Sequence, residues 1–163
     1  MKKYLWTIFV IILSFVDTAH IFGQEYEALK GLKSIKVVFE FRKDDPKSAA
    51  FYLNGIHQTF KDKNITAVTE NPDFVIVFTG PAVKILSKTK EGFPSEEHEI
   101  IDKIADIISA MAKDGIKMEI CLVAANIFGV DPASVLPEIK HVVNGWISLI
   151  GYQTNGYSLI LTY

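Results

Sequence analysis

The chain of 163 residues contains one cysteine, Cys121, so it can form neither an internal disulfide nor a thiolate metal cluster. It has no marked excess of either charge. Seventeen basic residues face 19 acidic ones for a net charge of −2, which offers a phosphate backbone little attraction and argues against nucleic acid as a partner. It has no HxH or HExxH pair, so no metal site is expected. GxGxxG, Walker and GxSxG motifs are missing too, which removes the commonest dinucleotide, nucleotide and hydrolase sites and leaves no cofactor to expect. Internal repeats and low-complexity tracts are absent. What the chain does have is apolar content, 49% with 12% aromatics, enough for a real core and too much for intrinsic disorder.

Long hydrophobic runs are scarce, with one exception at the front. The mean hydropathy of +0.23 owes much to the stretch from Tyr4 to Val16, broken only by Thr7 and Ser14, preceded by Lys2 and Lys3 and followed by polar residues from Asp17. This is the layout of a secretory signal peptide over residues 1–23, cut after Gly23 or alternatively after Ala19. The expected location is therefore outside the cytoplasm, in the periplasm. The apolar stretch is shorter than the ~20 residues that span a bilayer, so membrane contact is expected only through this leader if it stays uncleaved. Residues 24–163 then form one slightly acidic domain.

Within that domain two hydrophobic periods alternate. Ser34 to Phe41, rich in β-branched and aromatic residues, reads as a strand. Asp45-Pro46 opens a helix whose Ala49, Leu53, Ile56 and Phe60 form one apolar stripe. Asp73 to Thr79 is a nearly continuous apolar run, as in a strand covered on both faces, and stops at Gly80-Pro81. Residues 87–95 form a polar loop, after which Ser95 is expected to cap a long helix that buries Ile100, Ile104, Ile107, Ile108 and Met111 and ends at Gly115. Lys117 to Val123 is the next strand, with Cys121 toward its carboxyl end. Short helical pieces follow to Val143, then a helical turn over Trp146 to Gln153 and a last strand over Tyr157 to Tyr163. Ile65 to Thr69 reads as a weaker fifth strand. Strands joined by helical crossovers pair in parallel, so the expected class is α/β, a three-layer α/β/α arrangement with a mostly parallel sheet of four to five strands.

In such a sheet functional groups collect beyond the carboxyl ends of the strands. Two features meet that rule: the Gly80-Pro81 turn, and Cys121 with Asn126 shortly after it. A thiol there, at the start of a helical segment, can be activated as a nucleophile by the helix dipole. It can equally be a small buried hydrophobe, since free cysteine is among the most buried residue types. Gln153 and Tyr157 are further candidates for lining a cleft, although Gly156-Tyr157 also reads simply as a helix stop feeding a strand. His57, His98 and His141 read as solvated or core histidines.

The ordered set Phe78-Thr79-Gly80-Pro81-Ala82-Val83 with Leu86, Asp114-Gly115-Ile116, Cys121, Val142-Val143-Asn144-Gly145 and Gln153-Thr154-Asn155-Gly156-Tyr157 resembles the DsrE/DsrF-like family of sulfur-relay proteins. The resemblance implies a flavodoxin-like or DsrE-like domain assembled into trimers or hexamers. It also implies a cysteine that carries sulfur as a persulfide, at the position of Cys121, with Gly80, Pro81 and Asn126 positioning it. A lone cysteine needs its second thiol from another molecule, a thiol or persulfide-bearing partner protein. Phe93, Trp146 and Tyr152 fall in irregular segments where a partner subunit could cover them. Two functions stay open: a sulfurtransferase-like persulfide carrier, and a non-catalytic oligomeric module that binds a small ligand or partner with Cys121 as packing.

Overall fold

The computed structural model describes residues 26–163, so the expected leader and both cut sites lie outside the described residues. The elements run β1 (Lys36–Phe41), α1 (Pro46–Phe60), α2 (Lys63–Val68), β2 (Asp73–Phe78), a 3-10 segment Gly80–Leu86, α3 (His98–Lys113), β3 (Lys117–Cys121), α4 (Leu122–Ile127), β4 (Lys140–Val142), α5 (Gly145–Thr154) and β5 (Ser158–Thr162). The five strands form one sheet in the order β4-β3-β2-β1-β5, and every neighbouring pair is parallel. Among the described residues no helix is long and apolar enough to cross a membrane.

Chain order and handedness decide the layers. From β1 to β4 each strand adds on the same side of its predecessor, and right-handed crossovers moving one way put their helices on one sheet face. That face carries α1, α3 and α4, and it holds the main core: Phe39, Phe41, Phe74, Ile76, Phe78, Met118 and Ile120 of the strands against Leu53, Ile56, Ile104, Ile108 and Met111 of the helices. The step from β4 to β5 travels back across the sheet, so its helix, α5, falls on the opposite face. There Leu149 packs on Val38, Val75 and Val77, with Tyr152 and Tyr157 at the margin. Helices thus lie on both sides, as the sequence pattern implies.

Three expectations change. Ile65 to Thr69 is not a strand: residues 63–68 are helical because the Asp62 side chain accepts the backbone N–H of Asn64 at 2.7 Å and starts a turn that turns Ile65 and Val68 toward the core. The fifth strand is instead β4, whose three residues pair with Glu119, Ile120 and Cys121. Ser95 does not cap the long helix, because Ser95–Glu97 is a separate 3-10 turn and α3 opens at His98 with no side-chain cap.

A cavity at the carboxyl end of the sheet

Cys121 is the last residue of β3, one past Ile120, which pairs with Phe78 of β2. Alternation along the strand turns it to the α5 side, where it meets the first residue of that helix. Asn144 caps α5 by accepting the Trp146 N–H at 3.0 Å, and this brings Gly145 down onto the sheet. A Cβ placed on Gly145 would lie 3.0 Å from Thr79 Cγ2, 3.1 Å from Cys121 Cβ and 3.2 Å from Val77 Cγ1. Only a residue without a side chain lets α5 come this close. Cys121 is consequently buried, with 6% of its surface exposed.

That remaining surface lines a cavity of about 210 Å3, whose wall is formed by Arg42, Thr79, Gly80, Cys121, Asn144 and Trp146, closed off by apolar side chains of α4 and its end. No carboxylate is among the lining residues. Arg42 follows β1 and is fixed by its backbone N–H, which donates to the Thr162 carbonyl at 2.9 Å. Its guanidinium packs over Gly80, where a Cβ would meet Nη2 at 3.1 Å and Cζ at 3.2 Å in a backbone of positive φ, +56°. The backbone conformation therefore favours glycine at this turn, and a side chain there would also push the arginine aside. Behind the cavity the buried Glu40 accepts the Thr79 hydroxyl at 2.9 Å and stands 3.7 Å from Arg42 Nη1, so charge rather than a hydrogen bond holds the guanidinium to it.

Of the residues singled out from the sequence, the structure brings Cys121 and Gly80 to one cavity. Pro81 adjoins it inside the 3-10 segment without lining it, and Asn126 is exposed on α4 outside the wall. Helix α4 has only six residues, so the dipole expected to act on Cys121 is that of a short helix. Gln153 and Tyr157 lie at the other end of the sheet. Gln153 Nε2 donates to the Leu149 carbonyl within its own helix. Tyr157 is part of the helix stop: past Gly156, its N–H donates to the Tyr152 carbonyl at 3.1 Å and its ring packs edge-on against Tyr152, with centroids 5.0 Å apart. Its hydroxyl donates to Asp73 at the amino end of β2 at 2.6 Å, and burial together with that bond pushes the hydroxyl up to about 12. Tyr152 donates to the buried Glu119, and burial and that carboxylate hold its proton well above the usual tyrosine range.

The histidines stand apart from the cavity. His57 pairs with Asp114 at 2.6 Å, His98 Nε2 donates to the Phe93 carbonyl at 3.0 Å, and His141 is exposed on β4. Phe93 and Tyr152 are largely covered by their own chain, whereas Trp146 is 64% exposed. Among the described residues no group of three or more acidic, histidine or cysteine side chains is placed to hold a metal. Arg42 is the residue that reading the sequence missed. The signal was there, since it is the only arginine in the chain, but nothing in its spacing connects it to Cys121.

A family model described as the DsrE/DsrF-like family matches residues 36–161, which takes in β1 to β4, all but the last residue of β5, and every residue lining the cavity. No curated protein matches the chain significantly. Solved structures do. A protein of unknown function, MTH1491 from Methanobacterium thermoautotrophicum, is 19% identical with a TM-score of 0.59, covering 79% of this chain and 100% of its own. The ychN protein from E. coli is 15% identical with a TM-score of 0.55, over 79% of this chain and 99% of its own. A conserved protein of unknown function, BT1422 from Bacteroides thetaiotaomicron, is 18% identical with a TM-score of 0.52, over 78% and 94%. At these identities they speak for the fold. The packing at Gly145 makes its own prediction: Gly145→Ala costs about 1–3 kcal/mol, as overfilled cores do, read as a lower urea midpoint with an unchanged slope.

Proposed function

The chain belongs to the DsrE/DsrF-like family, and on that premise we propose that it is a persulfide carrier in sulfur transfer with Cys121 as the sulfur acceptor. The observation that carries this reading is the position of Cys121, at the end of a central parallel strand and in the wall of a cavity with Arg42 and Gly80. In the reaction the Cys121 thiolate attacks a sulfane sulfur, the donor's S–S bond breaks, and its electron pair leaves with the donor. The new persulfide then gives its outer sulfur to a second thiol, which must belong to another molecule because the chain has no second cysteine. No metal or redox cofactor enters this balance.

The proposal extends to location and assembly. Export is supported by the leader-like pattern of residues 1–23. A homo-oligomer, a trimer or hexamer as the resemblance implies, is supported by the exposed apolar groups on the α5 side of the sheet. Trp146, Ile147 and Ile150 are each about two-thirds exposed, and Leu159 and Leu161 of the edge strand are also open on that side. A second reading, a non-catalytic binding module with Cys121 as packing, is favoured by one observation, the 6% exposure of that residue.

Intact mass after incubation with a sulfane donor tests the carrier reading. The expected outcome is a gain of one sulfur by the native chain and none by Cys121→Ser, and a native chain that gains none under conditions that load a known carrier overturns it. The same spectrum, taken on protein recovered from its own cells, is expected to show a chain beginning at Gln24. Light scattering at micromolar concentration is expected to report an oligomer that Ile147→Glu with Ile150→Glu converts to monomer. A monomeric native chain removes the assembly proposal.

A further inference from the structure

The cavity also says what kind of donor it suits, and this step rests on the persulfide reading of Cys121. We infer that it takes a small sulfur oxyanion with a terminal sulfane sulfur, the thiosulfonate class of which inorganic thiosulfate is the simplest, and that Arg42 is the residue that binds the oxyanion end.

Four observations lead there. First, the donors of Arg42 are free: among the described residues its side chain donates no hydrogen bond, its contact with Glu40 is 3.7 Å, and Glu40 is already bonded to the Thr79 hydroxyl. A guanidinium with its fork unoccupied is matched to oxyanions, which accept two parallel N–H bonds. Second, although the Arg42 side chain is 37% exposed, its guanidinium is kept at the cavity by packing over Gly80, by the charge of Glu40 and by the Tyr163 ring 5.9 Å from Cζ. Third, the lining offers donors and no carboxylate. Asn144 lines the cavity with its carbonyl oxygen taken by the Trp146 N–H, which leaves its amide N–H groups as the part of the side chain able to meet an anion, while the rest of the wall is largely apolar, which strengthens an ionic contact made inside it. Fourth, the size suits a small ion. About 210 Å3 accommodates a small ion and a few waters at ~30 Å3 per water, and falls below the ~300–1,000 Å3 of pockets that take nucleotides or drug-sized ligands. With Cys121 6% exposed, a small donor reaches its sulfur more readily than the cysteine of a folded partner does.

The chemistry needs the arginine. A thiolate attacking a thiosulfonate brings two anions together, and the guanidinium offsets that repulsion. Cys121 Sγ forms a bond to the terminal sulfur, the bond from that sulfur to the sulfonyl sulfur breaks, and its electron pair leaves as sulfite. Charge and sulfur balance with no added oxidant or reductant.

The test separates this inference from the reading beneath it. The full chain carrying Cys121→Ser, which cannot be loaded, is titrated with inorganic thiosulfate by calorimetry, with and without Arg42→Gln. Saturable binding that Arg42→Gln weakens roughly tenfold or more is expected, with Arg42→Lys intermediate. Loading of Cys121 in the otherwise native chain is then followed by intact mass with two donors, thiosulfate and a small alkyl persulfide that carries no oxyanion. Arg42→Gln is expected to slow loading by thiosulfate about tenfold while leaving loading by the alkyl persulfide within about twofold. Absence of binding to the Cys121→Ser chain, binding indifferent to Arg42, or an equal loss with both donors overturns the role given to Arg42. If neither donor loads Cys121, the carrier reading falls and the calorimetric result alone decides the anion site. Urea unfolding with an unchanged slope shows that both variants are folded, with a midpoint lowered in Arg42→Gln, where the buried Glu40 loses its counter-charge, and close to native in Arg42→Lys, which keeps it.

Discussion

The close approach of α5 to the sheet at Gly145 is the contact on which the functional end of the molecule depends. The chain crosses to the second face only once, between β4 and β5, and that face has no other helix among the described residues. The helix has to reach the valines of β1 and β2 and yet begin directly over the ends of β2 and β3. Asn144 fixes where it begins, and glycine at position 145 leaves out the Cβ that would lie within 3.0 to 3.2 Å of Thr79, Cys121 and Val77. The burial of Cys121, the floor of the cavity and the seating of Leu149 on Val38, Val75 and Val77 follow from this one arrangement. The same strand ends carry the polar pair behind the cavity, Thr79 and Glu40, which in turn holds Arg42.

The two faces of the sheet differ in kind. One is a conventional core of phenylalanine and isoleucine between strands and three helices. The other is narrower and includes two buried carboxylates in one row, since Glu40 pairs with Val77 and Val77 with Glu119. They are met to different degrees: Glu40 by the Thr79 hydroxyl and Arg42, Glu119 only at Oε1, by the Tyr152 hydroxyl with Lys140 3.9 Å away, while its Oε2 is buried with no hydrogen-bond partner. Buried carboxylates are costly unless their charge and lone pairs are met, so the second face is built around polar groups to a degree the first is not. That polarity lies within the sheet itself and not in a loop, which makes the arrangement rigid.

How far the sequence disclosed this depended on the length and burial of each piece. The strands over Lys36–Phe41 and Asp73–Phe78 announce themselves because nearly every residue is buried and apolar, and α3 because its isoleucines recur at helical spacing. β4 was invisible: three residues, two of them exposed, carry no pattern, and only pairing with β3 makes them a strand. Ile65 to Thr69 misled in the opposite direction, since β-branched residues suggested a strand while a single side-chain bond from Asp62 set a helix. At the site, Cys121 and Gly80 were legible because both sit at strand ends, where a parallel sheet concentrates its groups. Arg42 was not, because its nearness to Cys121 is a product of strand order and has no counterpart in local spacing.

The pairing of β5 with β1 joins segments far apart in the chain: the Thr162 hydroxyl donates to the Glu40 carbonyl across 122 residues. During synthesis the outer edge of β1 therefore stands open while β2, β3 and β4 are already available on its other side. At the ~5–20 residues per second of translation, the stretch from β4 to β5 takes on the order of a few seconds, long compared with the folding of a hairpin or helix. The nascent chain thus passes through a four-stranded stage with a bare apolar edge, and a holding chaperone has its natural window there.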